Sequence, residues 1–113
     1  MIIYDETHQK IIENGVNRIK EVFCSENIYL IKQILFCLDF YLDPYYEHRL
    51  SYENEIYDLL QELVVNSAED EVIDACLQLI EDYCCVPLTI IEQKFMKIKD
   101  SKKPYAKHIL DML

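Results

Sequence analysis

A chain with a single glycine, Gly15, and only three prolines has almost no means of making the tight turns on which β-sandwiches and barrels depend. Such turns need residues that accept positive φ or that break a strand. All-β folds are thereby close to excluded, and the chain must be read for helices. Its 113 residues fit one domain spanning 1–113, and the 51% hydrophobic content is enough for one core. No glycine/serine tract, proline-rich stretch or low-complexity run divides it.

The apolar spacing bears this out along the chain. From Asp5 to Phe23, Ile11, Ile12, Val16, Ile19, Val22 and Phe23 recur at three- and four-residue steps, the period of an amphipathic helix, with Gly15 as its weak point. Ser25 is placed to cap a second helix bearing Ile28, Ile31, Ile34, Leu35, Leu38 and Leu42, which Asp43-Pro44 ends. A third starts near Ser51 and carries Ile56, Leu59, Leu60, Leu63 and Val64 up to Asn66-Ser67. A fourth runs from about Ala68 to Tyr83, with Val72, Ile73, Cys76, Leu77, Leu79, Ile80 and Tyr83 inward and Glu69, Asp70, Asp74, Gln78 and Glu81 outward. Thr89 is read as the cap of a fifth, bearing Ile90, Ile91, Phe95 and Ile98. Pro104 fits the first turn of a sixth, with Ala106, Ile109, Leu110 and Leu113.

The second and fourth helices align at an offset of 43: Glu26 with Glu69, Leu30 with Ile73, Ile34 with Leu77, Phe36 with Leu79, Asp39 with Asp82, Phe40 with Tyr83 and Pro44 with Pro87. The helices before them align one residue out of step, Ile12, Val16 and Ile19 against Ile56, Leu60 and Leu63. The unit is therefore a helical hairpin, and a third, shortened copy with Ile91, Phe95 and Ile98 ends the chain. The expected architecture is all-α, about six helices as three stacked antiparallel hairpins, either a short solenoid or an irregular bundle. The segment Glu69-Asp70-Glu71-Val72-Ile73-Asp74-Ala75-Cys76-Leu77-Gln78-Leu79-Ile80 resembles the second helix of a HEAT-type repeat, a unit of about 40–47 residues.

Charge is segregated along these units. Residues 45–86 hold 11 acidic residues and one basic residue, Arg49, whereas residues 87–113 hold 3 acidic and 6 basic residues. Like charges so concentrated repel one another and cost stability. An acidic surface cannot neutralise phosphate, so neither nucleic acid nor anionic membrane is an expected partner. A basic protein is the natural complement. Glu55, Asp58, Glu62, Asp70, Asp74 and Glu81 are the expected charged contacts, with Tyr45, Tyr46 and Tyr52 as aromatic anchors. The lysine-rich tail (Lys94, Lys97, Lys99, Lys102, Lys103, Lys107) is itself able to fold back on the acidic hairpin and weaken its field.

Catalytic patterns are missing. The chain has no glycine-rich phosphate loop, nucleophile elbow or HExxH, so no catalytic residues and no cofactor are expected. His8, His48 and His108 are widely spaced, with only the surface companions Asp5, Glu47 and Asp111, and no metal is expected. The five cysteines (Cys24, Cys37, Cys76, Cys84, Cys85) form no CxxC pair, and their odd number argues for reduced, mostly buried thiols, with Cys84-Cys85 buried at the end of the fourth helix. Met1 to Glu6 lacks a basic region followed by an apolar one, and Ile28 to Leu42 is too short to cross about 30 Å of hydrocarbon, so a soluble cytoplasmic protein is expected.

A short, acidic helical-repeat chain of this kind, chiefly over Ile56 to Ile80 with its acidic outer face, is similar to immunity proteins of bacterial polymorphic-toxin and contact-dependent inhibition systems. The resemblance implies a monomer that binds a cognate toxin domain, often a basic nuclease, and blocks its active site. The alternative is an adaptor module whose concave side grips a helix or peptide.

Overall fold

The computed structural model describes residues 2–46 and 49–112. It is all-helical among them: α1 Glu6–Glu13, α2 Val16–Phe23, α3 Ile28–Leu42, α4 Glu53–Asn66, α5 Asp70–Tyr83, α6 Thr89–Gln93 and α7 Lys103–Met112, with 3₁₀ turns at Phe95–Lys97 and Asp100–Lys102. The Glu47–His48 pairing and the core assignment of Leu113 lie outside the described residues.

The single helix expected over Asp5 to Phe23 is two helices. Gly15 sits at φ 111 and ψ 169, a region open only to glycine, and the chain turns there. Asp5 caps α1 by accepting from the Thr7 amide at 2.8 Å, while the Asp5 amide donates to His8 Nδ1 at 3.0 Å, a reciprocal capping box. The N-terminal segment then runs beside α3 in the same sense. Gln33 Nε2 donates to the Ile3 carbonyl and the Tyr41 hydroxyl donates to Glu13.

The remaining helices form two layers. α5 packs on α3 and α7, and α4 packs on α2 and α6 while facing α5. In the first layer the helices run in one direction, because Lys32 meets Glu71 near the start of α3 and α5 and Asp39 meets Tyr83 near their ends. The repeat thus appears in space: positions 43 or 44 apart, Asp39 and Asp82 or Asp39 and Tyr83, lie side by side across the α3–α5 seam. Stacking in this way lets each hairpin bury a face that it could not cover alone.

Two caps differ from expectation. Asn27, not Ser25, caps α3 by accepting from the Leu30 amide at 3.1 Å; the Ser25 hydroxyl instead donates to the Val22 carbonyl at the end of α2. Thr89 is the first residue of α6 rather than its cap, and the capping acceptor comes from another helix. Gln61, fully buried on α4, accepts from the Ile90 and Ile91 amides at 3.1 and 3.2 Å. α6 stops after Gln93, so Phe95 and Ile98 are carried by a 3₁₀ turn and the residue after it rather than by a continuous helix.

On α5 the six expected inward residues from Val72 to Ile80 are buried, whereas Tyr83 is half-buried with its hydroxyl outward. On α4 the buried arc is Ile56, Tyr57, Leu60, Gln61, Val64 and Val65. Leu59 and Leu63, expected in the core, are half-buried because they turn toward a groove shared with α2 and α6.

Leu77→Ala is expected to lower the unfolding free energy by about 2–5 kcal/mol, because Leu77 is fully buried where both layers meet. Chemical denaturation measures this directly. Gly15→Ala has room for its Cβ, with nothing within 4 Å, so any loss comes from backbone strain alone and is expected at roughly 1–3 kcal/mol.

Candidate protein-binding face

The acidic hairpin does not stand alone, and Arg49, which holds Glu53 at 2.8 Å, is one of several cations against it. The C-terminal lysines reach back to it: Lys99 to Asp70 at 2.6 Å, Lys102 to Asp74 at 2.9 Å and Lys94 to Glu62 at 3.7 Å. Lys32 of α3 pairs with Glu71. The hydrogen bond from Lys99 holds the Asp70 carboxyl below its ordinary range, and the one to Asp74 raises the Lys102 ammonium.

This divides the residues that the sequence grouped together. Glu55, Asp58 and Glu62 lie on the outer side of α4, and Asp58 and Glu62 border an open groove of about 710 Å³ whose apolar lining includes Phe23, Leu59, Leu63 and Ile90. Asp70, Asp74 and Glu81 lie on α5 toward α7, in the other layer, where the Glu81 carboxylate neighbours the Tyr105 hydroxyl. Tyr45 is 93% exposed. Tyr46 packs at a tilt on Phe40, ring centroids 4.2 Å apart, and edge-on against Tyr41. Tyr52 donates its hydroxyl to the Ile12 carbonyl and ties α4 to the α1–α2 turn, which makes it a structural residue. No single patch contains all nine.

A different face brings charge and aromatic surface together. Along α3, Tyr29, Phe36 and Phe40 share one stripe at seven- and four-residue steps, and Phe36 and Phe40 are 49% and 45% exposed. Beside them α3 and α5 leave a groove of about 240 Å³ with Leu35, Ala75 and Leu79 as apolar lining and Asp39 and Asp82 as its acids. Asp39 accepts from the Tyr83 hydroxyl at 2.7 Å. Asp82 accepts from Gln78 Nε2 at 3.0 Å, and Gln78 Oε1 accepts from the Tyr105 hydroxyl at 3.2 Å. Both carboxylates are thus positioned by neutral donors, with no cation paired to either among the described residues.

These acids stand where a helix least favours them. A helix C-terminus carries partial negative charge and prefers lysine or arginine. Neither α3 nor α5 has a basic residue in its last turn, and Asp39, Asp43 and Asp82 gather there instead. Their effect shows at Tyr83: the bond to Asp39, partial burial and the charges of Asp39, Asp43 and Asp82 push its hydroxyl up to about 12.

The sequence reading missed this face, although it carried a signal. The apolar residues of α3 go all the way round, which marks a helix that is enclosed or has a partner.

The cysteines are all unpaired, and fewer are buried than expected. Cys37 and Cys76 are buried, and loss of solvent raises both thiols, Cys37 to about 12 with Glu13 adding to the effect. Cys84 is half-buried, while Cys24, the residue after α2, and Cys85, two residues after α5, are exposed. Among the described residues no three His, Cys, Asp or Glu side chains converge as a metal site, and no helix is long and apolar enough to cross a membrane. No family model matches the chain, and no curated protein or solved structure matches it.

The Tyr83–Asp39 bond has a pH signature. A phenol whose pKa is raised on folding, from about 10, contributes stability that is fully present below that value and is lost as pH rises through about 12. Asp39→Asn keeps an acceptor for the hydroxyl and removes the charge. The Tyr83 ring resonances, followed by NMR on alkaline titration, are expected to move at lower pH in this variant than in the parent.

Proposed function

We propose that this chain is a non-catalytic protein-binding module for a basic protein, acting as an immunity protein that neutralises a cognate nuclease-type toxin domain by covering its cationic groove. The observation that carries the reading is the α3–α5 face, where exposed Phe36 and Phe40 adjoin Asp39, Asp43 and Asp82 without a basic residue in the last turn of either helix. Aromatic area supplies contact energy and unneutralised carboxylates supply steering, the combination found in tight, fast-associating interfaces. The two-layered stack of hairpins supports the HEAT-like reading of the repeat, and exposed unpaired Cys24 and Cys85 support a reducing, cytoplasmic setting. The free chain is taken as a monomer, with neither cofactor nor nucleic acid.

The groove between α2, α4 and α6 favours a second reading, an adaptor that grips a partner helix or peptide. Its apolar lining is larger, and Lys94 partly offsets the charge of Glu62 there. Binding at that groove depends weakly on salt.

The product of the reading frame adjoining the gene is the partner to test. Asp70 and Asp74 are poor sites for the charge test, since changing them also releases Lys99 and Lys102. The triple change Asp43→Asn, Glu81→Gln and Asp82→Asn leaves those pairs intact. It is expected to slow association at low salt by about tenfold or more, to flatten the salt dependence and to leave the far-ultraviolet circular dichroism unchanged. Association that is as fast as the parent's and insensitive to salt would transfer the function to the adaptor reading.

A further inference from the structure

Resting on that reading of the face, we propose that the α3–α5 groove is the receptor for one arginine side chain of the basic partner. The groove has two kinds of wall. The open Phe36 ring and half-buried Ala75 offer apolar surface to the three methylenes of an arginine stem, over a floor of buried Leu35 and Leu79. Asp39 and Asp82 offer carboxylate oxygens on opposite sides of the seam, one from each helix.

An arginine satisfies both walls in one side chain. Its stem packs on apolar surface while the head group stays with polar partners. Its planar guanidinium stacks on an aromatic face and forks across carboxylates, which the compact lysine ammonium cannot do. The two acids are already held. Tyr83 fixes Asp39 at 2.7 Å, and Gln78, itself fixed by Tyr105, holds Asp82 at 3.0 Å. Each donor is neutral, so the negative charge remains for the guest, and little side-chain freedom is left to lose on binding. The exposed Phe40 and Tyr29 continue the same stripe and give the surrounding partner surface an apolar border that keeps water out.

The test uses the full-length, isotope-labelled chain and three acetylated, amidated tripeptides, Leu-Arg-Leu, Leu-Lys-Leu and Leu-citrulline-Leu. Citrulline keeps the shape of arginine and lacks its charge. The arginine tripeptide is expected to shift the backbone amides of Phe36, Ala75 and Leu79 at a concentration at least about tenfold below that of the citrulline peptide, a difference equal to about 1.4 kcal/mol. The lysine peptide should fall between them. Asp39→Asn with Asp82→Asn should erase the advantage of arginine. Ala75→Leu, which fills the groove and keeps both acids, should abolish the shifts. Equal shifts from arginine and citrulline, or full binding by Ala75→Leu, overturn the proposal. Arginine-dependent shifts confined to Glu55, Asp58 and Glu62 also overturn it while sparing the basic-partner reading. A chain that responds to neither cationic peptide anywhere loses both.

Discussion

The burial of α5 is the contact on which the other elements depend. Ile73, Cys76, Leu77 and Ile80 are essentially inaccessible, and α3, α4 and α7 each lean on this one helix. Each such side chain contributes on the order of 1.5–3 kcal/mol of transfer free energy, whereas a 14-residue helix is marginal in isolation. The stack is therefore a consequence of mutual cover. Among the described residues α5 makes the largest contact between the two layers, and α2 adds a smaller one by packing on both α3 and α4.

The same ordering of magnitudes explains how the C-terminal segment stays in place. Its lysines meet carboxylates at Asp70, Asp74 and Glu62, but exposed pairs are screened and contribute little. Ile91, Ile98, Ala106 and Ile109 are buried, and Gln61 reaches from α4 to hold the first amides of α6. Packing positions the segment; the lysines then offset charge that packing has brought near. Gln61 also carries a cost, since its Nε2 is buried without a hydrogen-bond partner among the described residues, which on its own destabilises by about 1–3 kcal/mol.

Much of the fold was legible because periodicity reports local geometry. The all-helical class, the ends of α3, α4 and α5 and the α5 core follow from apolar spacing and from the 43-residue offset, which becomes adjacency across one seam. What was not legible depends on contacts made at a distance. Gly15 was visible as a weak point, yet the reversal at it requires α1 to find α3. The capping of α6 by Gln61 joins residues 29 and 30 apart and leaves no local pattern. The acids of residues 45–86 were read as one patch because sequence shows which helix carries a charge but not which lysine folds against it. The face on α3 was hidden for the converse reason: Phe36 and Phe40 entered only as matches to Leu79 and Tyr83 in the 43-residue offset, and only the neighbours show that they stay outside.

Once the ion-paired carboxylates are set aside, what distinguishes the remaining ones is the backbone beneath them. Asp39, Asp43 and Asp82 stand at helix ends that already carry partial negative charge, and together they raise the Tyr83 hydroxyl. Solubility alone does not require this arrangement, since the net charge of -10 could be kept with the same acids moved to helix N-termini, where they stabilise. A lysine or arginine in place of Asp39 or Asp82 would relieve the field without disturbing the core, because both positions are exposed. In the proposed complex, a cation brought by the partner would relieve the same field and so convert an intramolecular penalty into binding free energy. The exposed aromatics beside it would serve the same event, as the surface that closes round the cation and removes it from water.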